Sequence, residues 1–164
     1  MRVLPDTSEI EDFDALVIRT DYGHEPAWQE VTAALAVPVS MNGEVTSYTA
    51  HIVNDSSWGG ATVDEVLAAV ADHPDYVSVV FLADVSTMQT SHHALLAVTT
   101  ATREEDAEYY EAMTEFGREF RTVPVGVHEI HTNLALGNMD FSEFSAAAQD
   151  DSEGVFRSWW LEQQ

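Results

Sequence analysis

The sequence predicts an α/β fold with a mostly parallel or mixed five-stranded sheet, helices on both of its faces, and two C-terminal helices. Short apolar runs rich in β-branched residues alternate with segments that have helical spacing, which is typical of this class. The run at residues 76–83 is almost entirely apolar, as expected of a central strand covered on both faces. A chain of 164 residues with 45% hydrophobic side chains is long and apolar enough to bury a core.

The first part of the chain alternates strand, helix and strand. Residues 15–21 form a short apolar run that predicts a buried strand. Pro26 lies at a position typical of proline in the first turn of a helix, and the apolar residues that follow it at helical spacing predict that the helix continues. Residues 38–43 predict a loop, and residues 48–53 predict the second strand.

The middle of the chain contains the strongest strand signal. Thr62 followed by Glu65 matches a capping box, which predicts a helix that ends at His73 and the proline after it. The apolar run at residues 76–83 is the third strand. A polar loop leads to a fourth strand at residues 94–98.

The last part predicts three helices and one strand. Residues 103–117 are charged and prone to form a helix, and residues 120–125 predict the fifth strand. The next helix begins near Val127 and is closed by Gly137. Asp140 with a glutamate three residues later predicts a short final helix, and the aromatic tail beyond it is expected to pack against the body.

Residues 1–12 are interpreted as an acidic lead-in and residues 13–164 as a single α/β domain. The first residues lack the basic and apolar regions of a secretory signal, and no apolar run approaches the length of a membrane span. Cysteine is absent, which excludes disulfides, thiolate metal sites and a cysteine nucleophile. We therefore expect a cytoplasmic protein.

Acidity is the most prominent feature of the composition. The chain has 29 acidic residues and six basic residues, all of them arginine, and its formal net charge is −23 at pH 7. Nucleic-acid binding is not expected, because it requires lysine and arginine to neutralise phosphates. Three interpretations stay open: solubility that reflects host composition or salt, an acidic face that binds a basic partner, and an acidic pocket that holds a cation.

Three aspartates follow three predicted strands: Asp21, Asp55 and Asp84. In an open α/β sheet, ligands bind at the carboxyl ends of the strands, so these carboxylates are candidates for a Mg²⁺ site. The alternative is that each aspartate starts a turn or caps a helix. A phosphoryl-accepting pocket is disfavoured, because such pockets normally use a lysine and the chain has none.

Two histidines, His128 and His131, lie three residues apart on a predicted helix and share a face that could bind a metal ion. Their spacing is one residue short of the HExxH motif, and Asp140 or His51 would have to complete the site. Structural or surface histidines are the alternative interpretation. The adjacent pair at residues 92–93 is a weaker candidate, since neighbouring side chains diverge.

A polar turn around Gly137 brings together Asn133, Asn138 and Asp140 as candidate ligand or interaction residues. The alternative is that Gly137 ends one helix and Asp140 caps the next.

Arg19 and Arg121 lie inside predicted strands and are further candidates. A buried guanidinium requires an acidic partner, so we expect each to pair with a carboxylate, with Asp21 one candidate for Arg19. Binding of a substrate by these arginines is the alternative.

Several segments, in this order, resemble a family of small actinobacterial proteins classed as a domain of unknown function; they are residues 16–22, 52–55, 81–84, 120–124 and 133–144. The resemblance covers roughly residues 13–157, and its more specific pieces are the Arg-Thr-Asp strand end and the Asn-Met-Asp-Phe segment at residues 138–141. His128 departs from the family pattern, because the resemblance implies an aromatic residue at that position. The resemblance implies no activity, substrate or catalytic residue.

Two functions follow from these observations. The first is a non-enzymatic acidic interaction domain, of immunity or regulatory type, that binds a basic protein and requires no cofactor. The second is a small enzyme or ligand-binding domain with a carboxylate-lined site, holding a divalent cation, at the carboxyl edge of the strands. Neither involves nucleic acid or a membrane.

Overall fold

The computed structural model describes residues 4, 14–41, 44–71 and 78–160. Most of the predicted acidic lead-in at residues 1–12 lies outside these ranges, as does the predicted helix end at His73. No helix in the described part of the chain is long and apolar enough to cross a membrane.

The described residues form strands and helices in alternation. The strands are β1 Ala15–Arg19, β2 Val39–Met41, β3 Glu44–Thr46, β4 Ala50–Val53, β5 Val79–Ala83, β6 Leu95–Thr99, β7 Glu119–Thr122 and β8 Val155–Phe156. The α-helices are α1 Glu25–Leu35, α2 Val63–Val70, α3 Val85–Gln89, α4 Ala107–Met113, α5 Val127–Leu136 and α6 Phe141–Asp150. Two short 3₁₀ helices cover Ser56–Trp58 and Pro124–Gly126.

Six of these strands form one mixed sheet in the order β4-β1-β5-β6-β7-β8. β1 is parallel to both β4 and β5, β6 is antiparallel to β5 and β7, and β8 is parallel to β7. The predicted α/β class with a mixed sheet is confirmed. The predicted count of five strands is wrong, because the two-residue strand β8 adds a sixth to the sheet.

Two local elements differ from the sequence prediction. The predicted loop at residues 38–43 overlaps the hairpin of β2 and β3, which is too short to show a clear period of two. The predicted loop after β5 contains α3, because Asp84 caps a single helical segment there. The connection from β5 to β6 is too short for a parallel crossover, which accounts for the antiparallel direction of β6.

The sheet is covered on both faces. One face packs against α1, α5 and α6 and buries Val17, Phe81, Ile130 and Phe144. The other face packs against α2 and buries Trp58. The residues of β1 and β5 that contact Trp58 and α2 on this face alternate along the strand with those buried on the first face. Because strand side chains alternate between faces, the central strands are apolar throughout.

Gly126, between β7 and α5, lies where a side chain has no room. A Cβ atom placed on Gly126 would lie 2.5 Å from Thr122 Oγ1 and 3.0 Å from the ring of Phe156. The two neighbours are themselves buried, so neither can move into solvent. Close approach of α5 to β7 and β8 therefore depends on glycine at this position.

We expect Gly126→Ala to lower the free energy of unfolding by about 1–3 kcal/mol, because the added methyl group overpacks a closed site. Urea denaturation monitored by circular dichroism measures this change. Gly23→Ala is the matched control, since a Cβ there meets its nearest atom at 3.7 Å, and its effect should stay within about 0.5 kcal/mol. Equal stability of the two variants would contradict the close approach.

Candidate functional site

The carboxyl ends of β4, β1 and β5 meet at one edge of the sheet, because these three strands are neighbours and parallel. Asp55, Asp21 and Asp84 follow these strands in that order across the sheet. The edge is therefore shared by all three candidate aspartates. Their side chains, however, are held by three different sets of partners.

Arg19, the last residue of β1, lies at the centre of this edge and is only 3% exposed. Its Nε donates to the backbone carbonyl of Asp21 at 2.8 Å, and its two terminal nitrogens donate to Asn54 Oδ1 at 3.3 Å and Glu25 Oε2 at 2.8 Å. The guanidinium also lies over the ring of Tyr22, 4.3 Å from its centroid. Together these contacts satisfy the planar group on its edges and on its face.

The expected pairing of Arg19 with a carboxylate is present, but the partner is Glu25 in the first turn of α1. The Asp21 carboxylate instead accepts a hydrogen bond from His24 Nδ1 at 2.8 Å. The pKa of Glu25 is lowered by hydrogen bonds from Arg19 and Gln29. Burial raises the pKa of the adjacent Tyr22 hydroxyl.

Asp84 and Arg121 form a second ion pair at this edge. Both terminal nitrogens of Arg121 donate to the Asp84 carboxylate at 2.8 Å, in the two-pronged geometry that suits guanidinium and carboxylate. Asp84 also accepts the backbone N–H of Thr87 at 3.0 Å, which caps α3. Burial opposes ionisation of Asp84, but the bonds from Arg121 and Thr87 outweigh it and hold its pKa below the usual value.

Asp55 has a local role. Its carboxylate accepts the backbone N–H of Ser57 at 2.9 Å and caps the 3₁₀ helix at Ser56–Trp58. That hydrogen bond lowers its pKa. All three aspartates thus make the turn, cap or pairing contacts expected of the structural interpretation, and no cluster of three or more metal-ligating residues occurs in the described ranges. A divalent cation at this edge stays a prediction.

The two histidines of α5 are buried. His128 Nε2 donates to the backbone carbonyl of Leu35 at 2.8 Å, and its ring stacks on Tyr48 with centroids 5.7 Å apart. Tyr48 stacks in turn on Trp160 at 5.5 Å. Burial lowers the pKa of His128, against a smaller opposing effect of the Leu35 hydrogen bond.

Glu129, between the two histidines, is the buried charge that the sequence did not reveal. It is 1% exposed and accepts hydrogen bonds from Ser158 Oγ at 2.6 Å and from the backbone N–H groups of Trp159 and Trp160 at 3.0 and 3.2 Å. Ser158 has φ of 116°, a conformation that is unfavourable for a residue other than glycine. The buried carboxylate therefore anchors the aromatic tail, which packs on the body as predicted.

The polar turn between Asn133 and Asp140 ends α5 and begins α6, as in the alternative interpretation. Asn133 Nδ2 donates to the carbonyl of Glu129 at 2.8 Å within α5, and Gly137 ends the helix in the left-handed conformation. Asn138 donates its backbone N–H to the carbonyl of Asn133 at 3.0 Å. The backbone N–H of Asp140 donates to the side chain of Glu143 at 2.8 Å, so the predicted capping box is present.

The loop histidines at residues 92–93 diverge, as the sequence indicated. His93 Nε2 lies 2.6 Å from a carboxylate oxygen of Glu30 on α1. His92 Nε2 lies 3.7 Å from a carboxylate oxygen of Glu153, near the start of β8. Their partners belong to separate parts of the surface.

A strongly acidic surface surrounds α4, and we call it the α4 face. Seven exposed carboxylates belong to residues 104–119; Glu111 is paired with Arg103, and Asp106 caps α4. The other five have no arginine partner among the described residues; they belong to Glu104, Glu105, Glu108, Glu115 and Glu119. Two aromatic side chains of the same segment are exposed, Tyr109 at 52% and Phe116 at 42%. Burial and the nearby charge of Asp140 raise the pKa of Tyr109, which places Asp140 beside this face.

Every arginine in the described ranges is already bound to a carboxylate. The pairs are Arg19–Glu25, Arg103–Glu111, Arg118–Asp64, Arg121–Asp84 and Arg157–Asp151. The pairs of Arg103, Arg118 and Arg157 lie on the surface, and Arg103 neutralises only Glu111 of α4, so the α4 face keeps an excess of negative charge.

A family model described as "Domain of unknown function (DUF6924)" matches residues 14–159, which is nearly the whole chain. No curated protein matches the sequence.

We expect Asp84→Asn to lower the free energy of unfolding by about 1–3 kcal/mol at pH 7, because Arg121 loses its charged partner. The folded pKa of Asp84 is depressed, so this contribution is present above the unfolded pKa near 3.9 and is lost as the pH falls through the folded value. Urea denaturation between pH 7 and pH 2 measures the difference. Asp64→Asn, in an exposed pair with Arg118, is the control and should cost at most about 0.5 kcal/mol. A pH-independent loss would contradict the ion-pair origin.

We expect the wild-type protein to lose stability as the pH falls below about 6.5, the ordinary pKa of histidine, because His128 protonates more readily when unfolded. His128→Gln removes this component, so its free energy of unfolding should fall less steeply between pH 7 and pH 5. Tyr48→Phe keeps the stacked ring and should keep the wild-type slope. Parallel curves for wild type and His128→Gln would show that burial of His128 has no role in the pH dependence.

Proposed function

The chain belongs to this family of unknown function, and we propose that it is a non-enzymatic interaction domain, of immunity or regulatory type, whose acidic surface binds a basic protein. The single observation that carries the proposal is the α4 face. Five of its exposed carboxylates lack arginine partners in the described part of the chain, and the same segment exposes the rings of Tyr109 and Phe116.

The charge of this face supports association with a basic surface. Clustered charge of one sign produces a potential that extends about 8–10 Å into physiological salt and accelerates the approach of an oppositely charged partner. The short spacing of Glu104, Glu105 and Glu108 along one segment concentrates that potential around α4. A partner rich in lysine or arginine would relieve the mutual repulsion of these carboxylates.

The exposed rings separate this proposal from a surface that serves solubility alone. Solubility requires only charge, and a large exposed aromatic ring works against it. Aromatic side chains are enriched at the centres of protein interfaces, where they supply contact area that charges at the rim cannot supply. Tyr109 and Phe116 are positioned for that role, with Glu108 and Glu115 beside them in the sequence.

The contacts at the strand edge agree with a non-enzymatic role. Asp21, Asp55 and Asp84 have their own hydrogen-bond donors, and Arg19 and Arg121 have their own carboxylates. Side chains with these hydrogen bonds and ion pairs stabilise the fold. Among the described residues, the longest run of exposed carboxylates without an arginine partner belongs to the α4 face.

We expect the protein to bind a short lysine-rich peptide at about 50 mM salt and to lose that binding at about 500 mM salt, where charges are screened. Glu108→Lys with Glu115→Lys should weaken binding by about tenfold or more, since each reversal replaces an attraction with a repulsion. Titration calorimetry measures the affinity.

Glu30→Lys with Glu44→Lys is the matched control for this experiment. It changes the net charge by the same amount at two exposed positions outside the α4 face. The control should weaken binding by no more than about twofold. An equal loss in both double variants would show that only net charge matters, and the proposal of a defined binding face would fail.

A further inference from the structure

A cleft of about 350 Å³ opens beside the first half of β7, between the α4 face and α6. Its lining includes Leu96, Phe116, Glu119, Arg121, Ser145 and Gln149. We call it the β7 cleft. It exists because β8 pairs with Arg121 and Thr122 only, which leaves the first two residues of β7 without a strand on that side in the described ranges.

The backbone of β7 presents hydrogen-bonding groups to this cleft. The carbonyl of Arg118 accepts the N–H of Thr99, so the backbone of residue 118 is directed toward β6. The N–H of Val123 donates to Phe156 on the opposite side, next to β8. Since the direction alternates along a strand, the N–H and carbonyl of Glu119 face the side where β8 does not extend.

A rigid turn keeps β8 from extending further. Gly154 has φ of 73° and turns the chain just before Val155. Asp151 accepts hydrogen bonds from Arg157 and from the backbone of Glu153, which lower its pKa to about 2. The turn therefore fixes where β8 begins, and it leaves the first residues of β7 uncovered on that side.

The β7 cleft combines an apolar surface with one exposed carboxylate, Glu119, because the charge of its other ionic residue, Arg121, is paired with Asp84. Phe116 is partly exposed on one side, and the buried residues Ser145 and Ala148 of α6 lie on the other. Glu119 is exposed at the cleft, and Glu115 lies close to it in the chain. An extended segment that adds to a strand edge obtains affinity from its backbone and specificity from alternate side chains, and this lining suits both.

We infer that the β7 cleft binds an extended segment of the basic partner, in which lysine or arginine alternates with an apolar residue. The backbone of the segment pairs with Glu119, an apolar side chain contacts Phe116, and a cationic side chain lies opposite the carboxylate of Glu119. This inference rests on the proposed function and adds to it the site and the sequence pattern of the partner.

The charge of the cleft selects this occupant over a second copy of the chain. A charged residue on an open strand edge is a known protection against pairing between identical edges. Two copies would bring Glu119 close to Glu119 and would join two chains of net charge −23. A basic segment converts the same carboxylates from repulsive to attractive groups.

Two peptides with equal lysine content test the inference, one with valine and one with serine at the alternate positions. We expect the valine peptide to bind wild-type protein about tenfold more tightly, because it buries an apolar side chain in the cleft. Phe116→Ala should abolish this preference, and Leu136→Ala should retain it as the control, because Leu136 is an exposed apolar residue at the end of α5 that does not line the cleft. Hydrogen exchange of the Glu119 amide should slow when the valine peptide is bound.

The outcomes separate this inference from the proposed function. If both peptides bind equally and still depend on the carboxylates of the α4 face, the β7 cleft is not the site and the proposed function stands. If neither peptide binds in a salt-dependent way, both are overturned. A preference lost in Leu136→Ala but retained in Phe116→Ala would also overturn the inference.

Discussion

Positive charge is scarce in this chain, and every arginine in the described ranges is paired with a carboxylate. The chain has six arginines and no lysine against 29 acidic residues. The fold places two arginines, Arg19 and Arg121, at the carboxyl edge of the sheet, where each holds a carboxylate at 2.8 Å. These pairs fix the start of α1 to β1, and the start of α3 to β7. Arg19 is buried and Arg121 is half-buried, so either guanidinium would lose a charged hydrogen-bond partner, and the fold would lose stability, if it released its carboxylate to bind an external ligand.

Away from the arginines, the fold pairs a buried carboxyl group with neutral donors. Glu129 is almost completely buried, and its carboxyl group accepts hydrogen bonds from one hydroxyl and two backbone N–H groups of residues 158–160. These three hydrogen bonds hold Ser158 in its unfavourable φ. The same contacts hold Trp160 against Tyr48, and Tyr48 against His128. A single carboxylate in α5 thus orders the end of the described chain.

Local signals in the sequence were sufficient for some of these features and insufficient for others. The capping residues Thr62 and Asp140 were predictable, because a cap and its partner lie within one helical turn. The need of Arg19 for a carboxylate was also predictable, since any buried guanidinium has it. The sequence could not predict that Arg19 pairs with Glu25 and not with Asp21, because this pairing depends on how α1 packs over the end of β1. Glu129 and its donors are 29 to 31 residues apart, and no periodicity connects them.

The acidic excess that remains after these pairings is distributed unevenly. On the described surface, carboxylates near arginine serve the fold, whereas those around α4 lie beside exposed rings and beside the part of β7 that β8 does not cover. An uncovered strand edge is open to pairing, and a charged residue such as Glu119 disfavours pairing between two identical edges. In the proposed function the same negative charge attracts an extended cationic segment, because the sign of the interaction depends on the partner. Protection of the edge and the proposed recognition of a basic partner would therefore share one side chain, Glu119.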